Sequence, residues 1–176
     1  MSWLLENENF RRDFDRLSTV KLNPDRHTAP DGRAHTEAVA RRVEELCRIN
    51  ACTTDELELL RTLAYVHDIG KIETRRGHPA ASERMLPSYG IDDPHLASLV
   101  KYHDVALAWY RQSERGQPPS DRAWHKLSRR LDVRLLGIFM IADRVDCRGG
   151  WRENPPTIWF FEELRRRGLL EREPLG

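Results

Sequence analysis

The stretch LAYVHDIGK, Leu63 to Lys71, places His67 and Asp68 side by side just ahead of a glycine, where an apolar helix face should be finishing. His67 lies four residues after Leu63 and seven after Leu60. His103 stands in the same relation to Leu99 and Leu96, and Asp143 to Phe139 and Leu136. His35 continues a stripe backwards, four residues before Val39 and eight before Val43. On a helix those offsets share one face, so four separate segments aim an imidazole or a carboxylate at the interior. An isolated buried carboxylate costs on the order of several kcal/mol or becomes neutral. A hydrogen-bond network would compensate, and so would a divalent cation held by groups from different helices. One such histidine is more often a satisfied core residue; three histidines and two aspartates together favour the cation.

The chemistry of the doublet fits that reading. Adjacent helical residues point about 100° apart, so His67 and Asp68 can share an ion only where the backbone relaxes, at the last turn before Gly70. Nitrogen and oxygen donors without thiolate suit Mn, Fe, Co, Ni, Zn or Mg rather than a structural cysteine zinc. Ligand types alone do not choose among those metals.

The elements that must position these residues read as helices. Apolar residues recur at helical spacing through most of the chain, with no period-2 strand longer than a few residues, so the fold class is all-α. A short helix spans about Trp3 to Leu17. The breaker-rich LNPDRHTAPDGR then leads to a helix over Arg33 to Ile49, with Val39, Val43 and Leu46 inward. TTDEL caps a third helix at Thr53 or Thr54, and Gly70 is placed to end it. A short helix follows over Ala80 to Leu86, stopped by Pro87 and Gly90. DDPHLASLVKYHD starts another. RQSERGQPPSDR reads as an exposed, mobile loop that could border a site. The most apolar helix, about Asp132 to Asp146, should run through the centre, and NPPTIWFFEELRRRGLL gives a last amphipathic helix whose aromatic residues are core packing.

Composition sets the outer limits. The 176 residues suit one domain, expected to span 1–176 with its motif-bearing core at about 30–150. Lys plus Arg number 29 and Asp plus Glu 28, a net charge of +1, so nothing global points to nucleic acid or to a membrane surface. Cys47, Cys52 and Cys147 lack the close pairing of a zinc knuckle and are expected to be unpaired thiols. No apolar run approaches the roughly 18–20 residues that cross a bilayer; a cytoplasmic location is expected.

At the level of motif, the chain resembles the HD superfamily of metal-dependent phosphohydrolases, whose pattern is a His, a His-Asp doublet and a distant Asp on a helical bundle. The matches are His35 in DGRAHTEAVARRV, His67 and Asp68 in HDIGK, and Asp143 in MIADRVD. Members with extra histidines hold two metals, and GHPAASERML and LVKYHD resemble those segments. The resemblance therefore implies His78 and His103 as ligands of a second divalent ion, with Asp104 assisting. IADRVDCRGG and GHPAASERML also resemble the HD half of bacterial tRNA nucleotidyltransferases, without the nucleotidyltransferase head.

The resemblance implies hydrolysis of a phosphomonoester or phosphodiester by a metal-activated water, with a nucleotide, another phosphorylated small molecule or a nucleic-acid end as substrate. Asp68 is the candidate for orienting the water, and Lys71 for neutralising phosphate charge or aiding the leaving group; a solvated lysine at a helix C-terminus is the competing reading. Arg144, Arg75 and Arg76 are the candidate phosphate binders, with Arg144 favoured because it adjoins Asp143; Arg148 also lies near the motifs. His27, His95 and His125 fall outside the motifs and are expected to be surface or capping residues. Two other readings stand beside the enzyme: a non-catalytic HD-type module that regulates or binds protein, and an RNA-binding domain using RAWHKLSRRLDVR as a basic surface. Oligomeric state is open.

Overall fold

The computed structural model describes residues 2–176. Ten α-helices make up the architecture among those residues, with two isolated β-bridges, Lys21 with Asp31 and His27 with Cys147. The N-terminal helix expected over Trp3 to Leu17 is instead two: α1 (Ser2–Glu6) and α2 (Glu8–Arg16), followed by a tight turn at Leu17–Thr19. Asn7 divides them, because its side chain accepts from Phe10 N at 3.0 Å and caps a new helix.

Asp31 caps α3 (Gly32–Ile49) through Ala34 N. α4 (Thr54–Val66) begins with a capping box in which Thr53 Oγ1 accepts from Glu56 N and Glu56 accepts from Thr53 N. Gly70 does not itself end this helix: α4 stops at Val66, and the chain passes through His67 and Asp68 into a 3₁₀ turn at Ile69–Ile72. α5 (His78–Met85) starts two residues earlier than expected, with Pro79 in its first turn. α6 (Pro94–Tyr102) is capped by Asp93.

α7 (Val105–Glu114) absorbs the first residues of the expected mobile loop, and α8 (Asp121–Ser128) begins where that loop was to end, leaving 115–120 irregular. Helix-compatible Arg, Gln, Ser and Glu continue α7 until Gly116 allows a left-handed turn. α9 (Val133–Ala142) is buried along its length except at Arg134, and Asp143 to Asp146 follow in turns. α10 (Pro155–Arg166) starts on the side chain of Asn154.

α9 is the axis of the core. It packs on α3, α4 and α10, while α5 packs on α6 and on the turn after α4. Val39, Val43, Leu60, Leu63, Leu99, Leu136 and Phe139 are fully excluded from solvent, each stabilising the fold by roughly 1.5–3 kcal/mol through lost water contact. Phe160 and Phe161 are buried as the aromatic stripe predicts, and Trp124 sits 4.5 Å from the Trp109 ring and 5.1 Å from Phe160. The consequence for function is that helix ends meet at one point. His35 lies in the first turn of α3, His67 and Asp68 leave α4, His78 opens α5, His103 follows α6 and Asp143 follows α9.

Candidate metal centre

Helix ends carry free carbonyls, and these fix the histidines. His67 Nδ1 lies 2.8 Å from Ala64 O, and His103 Nδ1 lies 2.7 Å from Val100 O. A carbonyl can only accept, so each Nδ1 donates its proton there and each Nε2 is left facing inward. His78 follows the same pattern more loosely, 3.2 Å from Arg75 O. His35 is held differently: its Nδ1 lies 3.0 Å from Asp146 Oδ1 and its Nε2 3.1 Å from Asp143 Oδ1.

Two trios result. Ligand atoms of His35, His67 and Asp143 lie within 4.8 Å of one another, as do those of Asp68, His78 and His103. Asp68 joins them. Its Oδ2 is 3.3 Å from His67 Nε2 and 3.7 Å from His35 Nε2, and its Oδ1 is 3.0 Å from His78 Nε2 and 3.6 Å from His103 Nε2. Lys71 Nζ pairs with Asp68 Oδ2, and Arg144 Nη1 meets Asp143 Oδ2 at 2.6 Å.

Gly70 and Ser82 hold the doublet against α5. Ser82 Oγ accepts from Gly70 N at 2.9 Å and donates to His67 O at 2.7 Å. A Cβ on Gly70 would lie 2.5 Å from both His78 O and Ser82 N, so the glycine of HDIGK is required by the closeness of α5.

The electrostatics follow from burial. Burial alone would push the Asp68 carboxyl up, yet the positive charges of Lys71 and then of His67 hold it well below the ordinary range. Asp143 is held down in the same way, against burial, by Arg144, His35 and His67. Burial works against a proton on His35, but hydrogen bonds to Asp143 and Asp146 outweigh it and raise the imidazole to about 9. His67 is raised to about 10, chiefly by the charge of Asp68 against the effect of burial. The buried carboxylates remain anionic and demand positive charge among the imidazoles.

A divalent ion satisfies that demand. His67 Nε2 is fully buried and has no aligned hydrogen-bond partner, although Asp68 Oδ2 and Asp143 Oδ1 each lie 3.3 Å away, and His78 Nε2 and His103 Nε2 converge to 3.2 Å. Imidazole and carboxylate are the donor set of first-row divalent metals, and an ion would displace the protons that the carboxylates otherwise attract. The residues present fit the group.

The centre forms the floor of a cleft of about 540 Å³ whose wall includes Lys71, Asp104, Arg144, Arg148, Arg26 and Arg111. Arg144 and Lys71, the candidate phosphate binder and catalytic lysine, both line it. Arg75 and Arg76 do not line the cleft: both are exposed, and Arg75 donates to Lys21 O at 3.0 Å. Of RQSERGQPPSDR only Arg111 reaches the wall. His95 accepts from Asp132 N at 3.4 Å and His125 is exposed, in keeping with capping and surface roles. His27 is a correction. It lines the cleft and lies 3.3 Å from Asp146 Oδ1, because its loop is tied to the residues after α9. Asp146, the carboxylate behind His35, was missed; its spacing from Asp143 in ADRVD was the available signal.

The family model of the HD domain matches residues 32–147. The chain belongs to the HD domain family. The match runs from the start of α3 past Asp143, so it contains both trios and their helices. HD domains are in general metal-dependent phosphohydrolases that bind divalent ions, and both His/Asp clusters agree with that. The match is to the HD domain at large and does not extend to the likeness with tRNA nucleotidyltransferases. No curated protein matches the chain. No helix among the described residues is long and apolar enough to cross a membrane.

Proposed function

We propose that this HD domain hydrolyses a phosphomonoester or phosphodiester of a small molecule, a nucleotide being the leading substrate class. The observation that carries the reading is the carboxylate of Asp68, which belongs to one ligand trio and turns its other oxygen to the second, at the floor of a cation-walled cleft. His35, His67, Asp143 and Asp68 Oδ2 would hold one divalent ion; His78, His103 and Asp68 Oδ1 would hold a second. When bound, such ions polarise a phosphoryl oxygen and bring the pKa of water toward neutrality.

The chain's own groups do the rest. Asp68, reaching both ion positions, would orient the attacking water between them, and Lys71 keeps that carboxylate ionised. Arg144 is mostly buried, is held by Asp143 and faces Asp104 at 3.7 Å; its fixed guanidinium offers a phosphoryl oxygen a planar donor. Arg111, Arg148 and Arg26 lie on the cleft wall and attract an anionic substrate. Leu107 and Pro156 give the wall an apolar part against which the remainder of the substrate can lie.

The test is turnover of bis(p-nitrophenyl) phosphate, p-nitrophenyl phosphate and a nucleotide panel with added Mn, Co, Ni or Mg. The reading expects hydrolysis that a chelator removes and that His67→Ala and Asp143→Ala abolish while the helical circular dichroism persists. Activity surviving in both variants would sink it.

A further inference from the structure

A third group of ligand-type residues stands beside the two trios, on backbone that the fold has tied down. The loop between α2 and α3 is fixed to the turns after α9: Thr28 N donates to Asp146 O at 2.8 Å and Arg148 N to Arg26 O at 3.0 Å. Between these bonds His27 and Cys147 form an antiparallel bridge. Residues paired in this way direct their side chains to the same side, with Cβ atoms about 4.5–5.5 Å apart. An imidazole and a thiol thus share a wall of the cleft. With Asp146 they form a set whose ligand atoms all lie within 4.8 Å of one another.

Asp146 supplies the second, independent observation. Its Oδ1 serves two imidazoles, His35 Nδ1 at 3.0 Å and His27 Nδ1 at 3.3 Å. Its Oδ2 is buried with no hydrogen-bond partner, in a residue only 5% exposed. A buried charged oxygen without a donor is costly to leave unmet, and the thiol beside it is a weak donor.

We propose that His27, Asp146 and Cys147 form a third cation site, selective for thiophilic ions of the zinc class. Imidazole, carboxylate and thiolate are all zinc ligands, and three protein ligands leave a fourth position open. Here that position faces the cleft. The thiolate separates this set from the nitrogen and oxygen trios, which suit harder ions as well. On binding, the Cys147 S–H bond breaks, its proton leaves to solvent and the sulfur lone pair bonds the ion; nothing is oxidised or reduced. Asp146 contributes Oδ2 while Oδ1 continues to hold His35, so the site is linked to the catalytic cluster through one carboxylate. Tetrahedral zinc would draw the donors to about 3.3–3.8 Å apart, a small contraction of the set. The site does not depend on whether the HD trios perform hydrolysis.

Cadmium alone is the probe, because a thiolate-to-cadmium charge-transfer absorption in the ultraviolet reports sulfur ligation and the HD trios contain no sulfur. Metal-free protein titrated with Cd²⁺ should develop the band with a single equivalent per chain. Cys147→Ser should abolish it, and His27→Ala should weaken the underlying affinity at least tenfold. The band should persist in the Cys47→Ser/Cys52→Ser double variant, which removes the other thiols, and in His67→Ala/His103→Ala, which cripples both HD trios. No band in the wild type, a band that survives Cys147→Ser, or one that disappears with Cys47 and Cys52 overturns the proposal. Circular dichroism on each variant ensures that a lost band is not a lost fold.

Discussion

Ser82 bears more on the metal centre than its small size suggests, and Ser82→Ala is the perturbation that isolates its role. Its hydroxyl is fully buried, accepts from Gly70 N and donates to His67 O, joining α5 to the backbone of the doublet. Removing it deletes both bonds, a net loss of about 1–3 kcal/mol, and strands a buried N–H and a buried C=O, which places the cost near the upper end, about 3 kcal/mol. In a chain of this length that lowers Tm by roughly 6–12 °C. His78 stands at the start of the helix thus loosened, so the ion held with Asp68 and His103 should weaken more than the ion held by His35, His67 and Asp143. Urea unfolding gives the stability term, and metal titration by calorimetry gives the two affinities. Ser88→Ala, an exposed hydroxyl bonded only within its own turn, is the control and should stay within about 0.5 kcal/mol of wild type. If Ser82→Ala matches that control and binds both ions unchanged, the hydroxyl does not position the doublet and the packing argument fails.

Other consequences can be checked on the same preparations. Gly70→Ala introduces a Cβ 2.5 Å from backbone atoms of His78 and Ser82, so it should cost more stability than Ser82→Ala and eliminate binding of the second ion, read by melting and metal titration. Asp13 is buried against Tyr89 and Arg12, and its carboxyl is held below its ordinary value: burial pushes it up, but hydrogen bonds from Arg12 and Tyr89 prevail. A depressed folded pKa means stability fully present above the unfolded value of about 3.9 and lost as pH falls through the folded one. Asp13→Asn should therefore be less stable at neutral pH and lose less on acidification below about pH 4, measured by urea unfolding across pH. Arg144→Ala removes the guanidinium beside Asp143 and Asp104, and should raise KM for a phosphate ester and lower kcat roughly tenfold or more, since one charge-assisted hydrogen bond contributes about 1.5–3 kcal/mol; steady-state kinetics decide it.

The candidate ligands were legible because each continued an apolar stripe with a polar side chain, and such a position needs either a hydrogen-bond network or an ion to offset the cost of burial. His35, His67, His103 and Asp143 all came from that single pattern, and the structure places them together. His78, inferred from a motif, arrives because Gly77 turns the chain with positive φ and Pro79 starts α5 immediately after it. What stayed hidden depended on backbone pairing between distant segments. His27 reaches the cleft through a bridge to Cys147, and no local pattern encodes a pairing of residues so far apart. Asp146 lies beyond the last helical turn, where periodicity carries no information. Arg75 was nominated by proximity in sequence, but the turn after Ile72 carries it away from the cleft to the carbonyl of Lys21. The split at Asn7 was a capping signal overlooked within an otherwise continuous amphipathic run.

The central claim is that the two histidine and aspartate trios hold divalent ions on either side of Asp68. Manganese content per chain, by elemental mass spectrometry after reconstitution and desalting, tests it most directly, since manganese favours the nitrogen and oxygen trios over the thiol-containing set. An ion for each trio is expected in the wild type, loss of one in His103→Ala, and loss of both in Asp68→Ala, whose two oxygens face one trio each. A wild-type protein that retains no manganese, or an Asp68→Ala variant that retains as much as wild type, contradicts it.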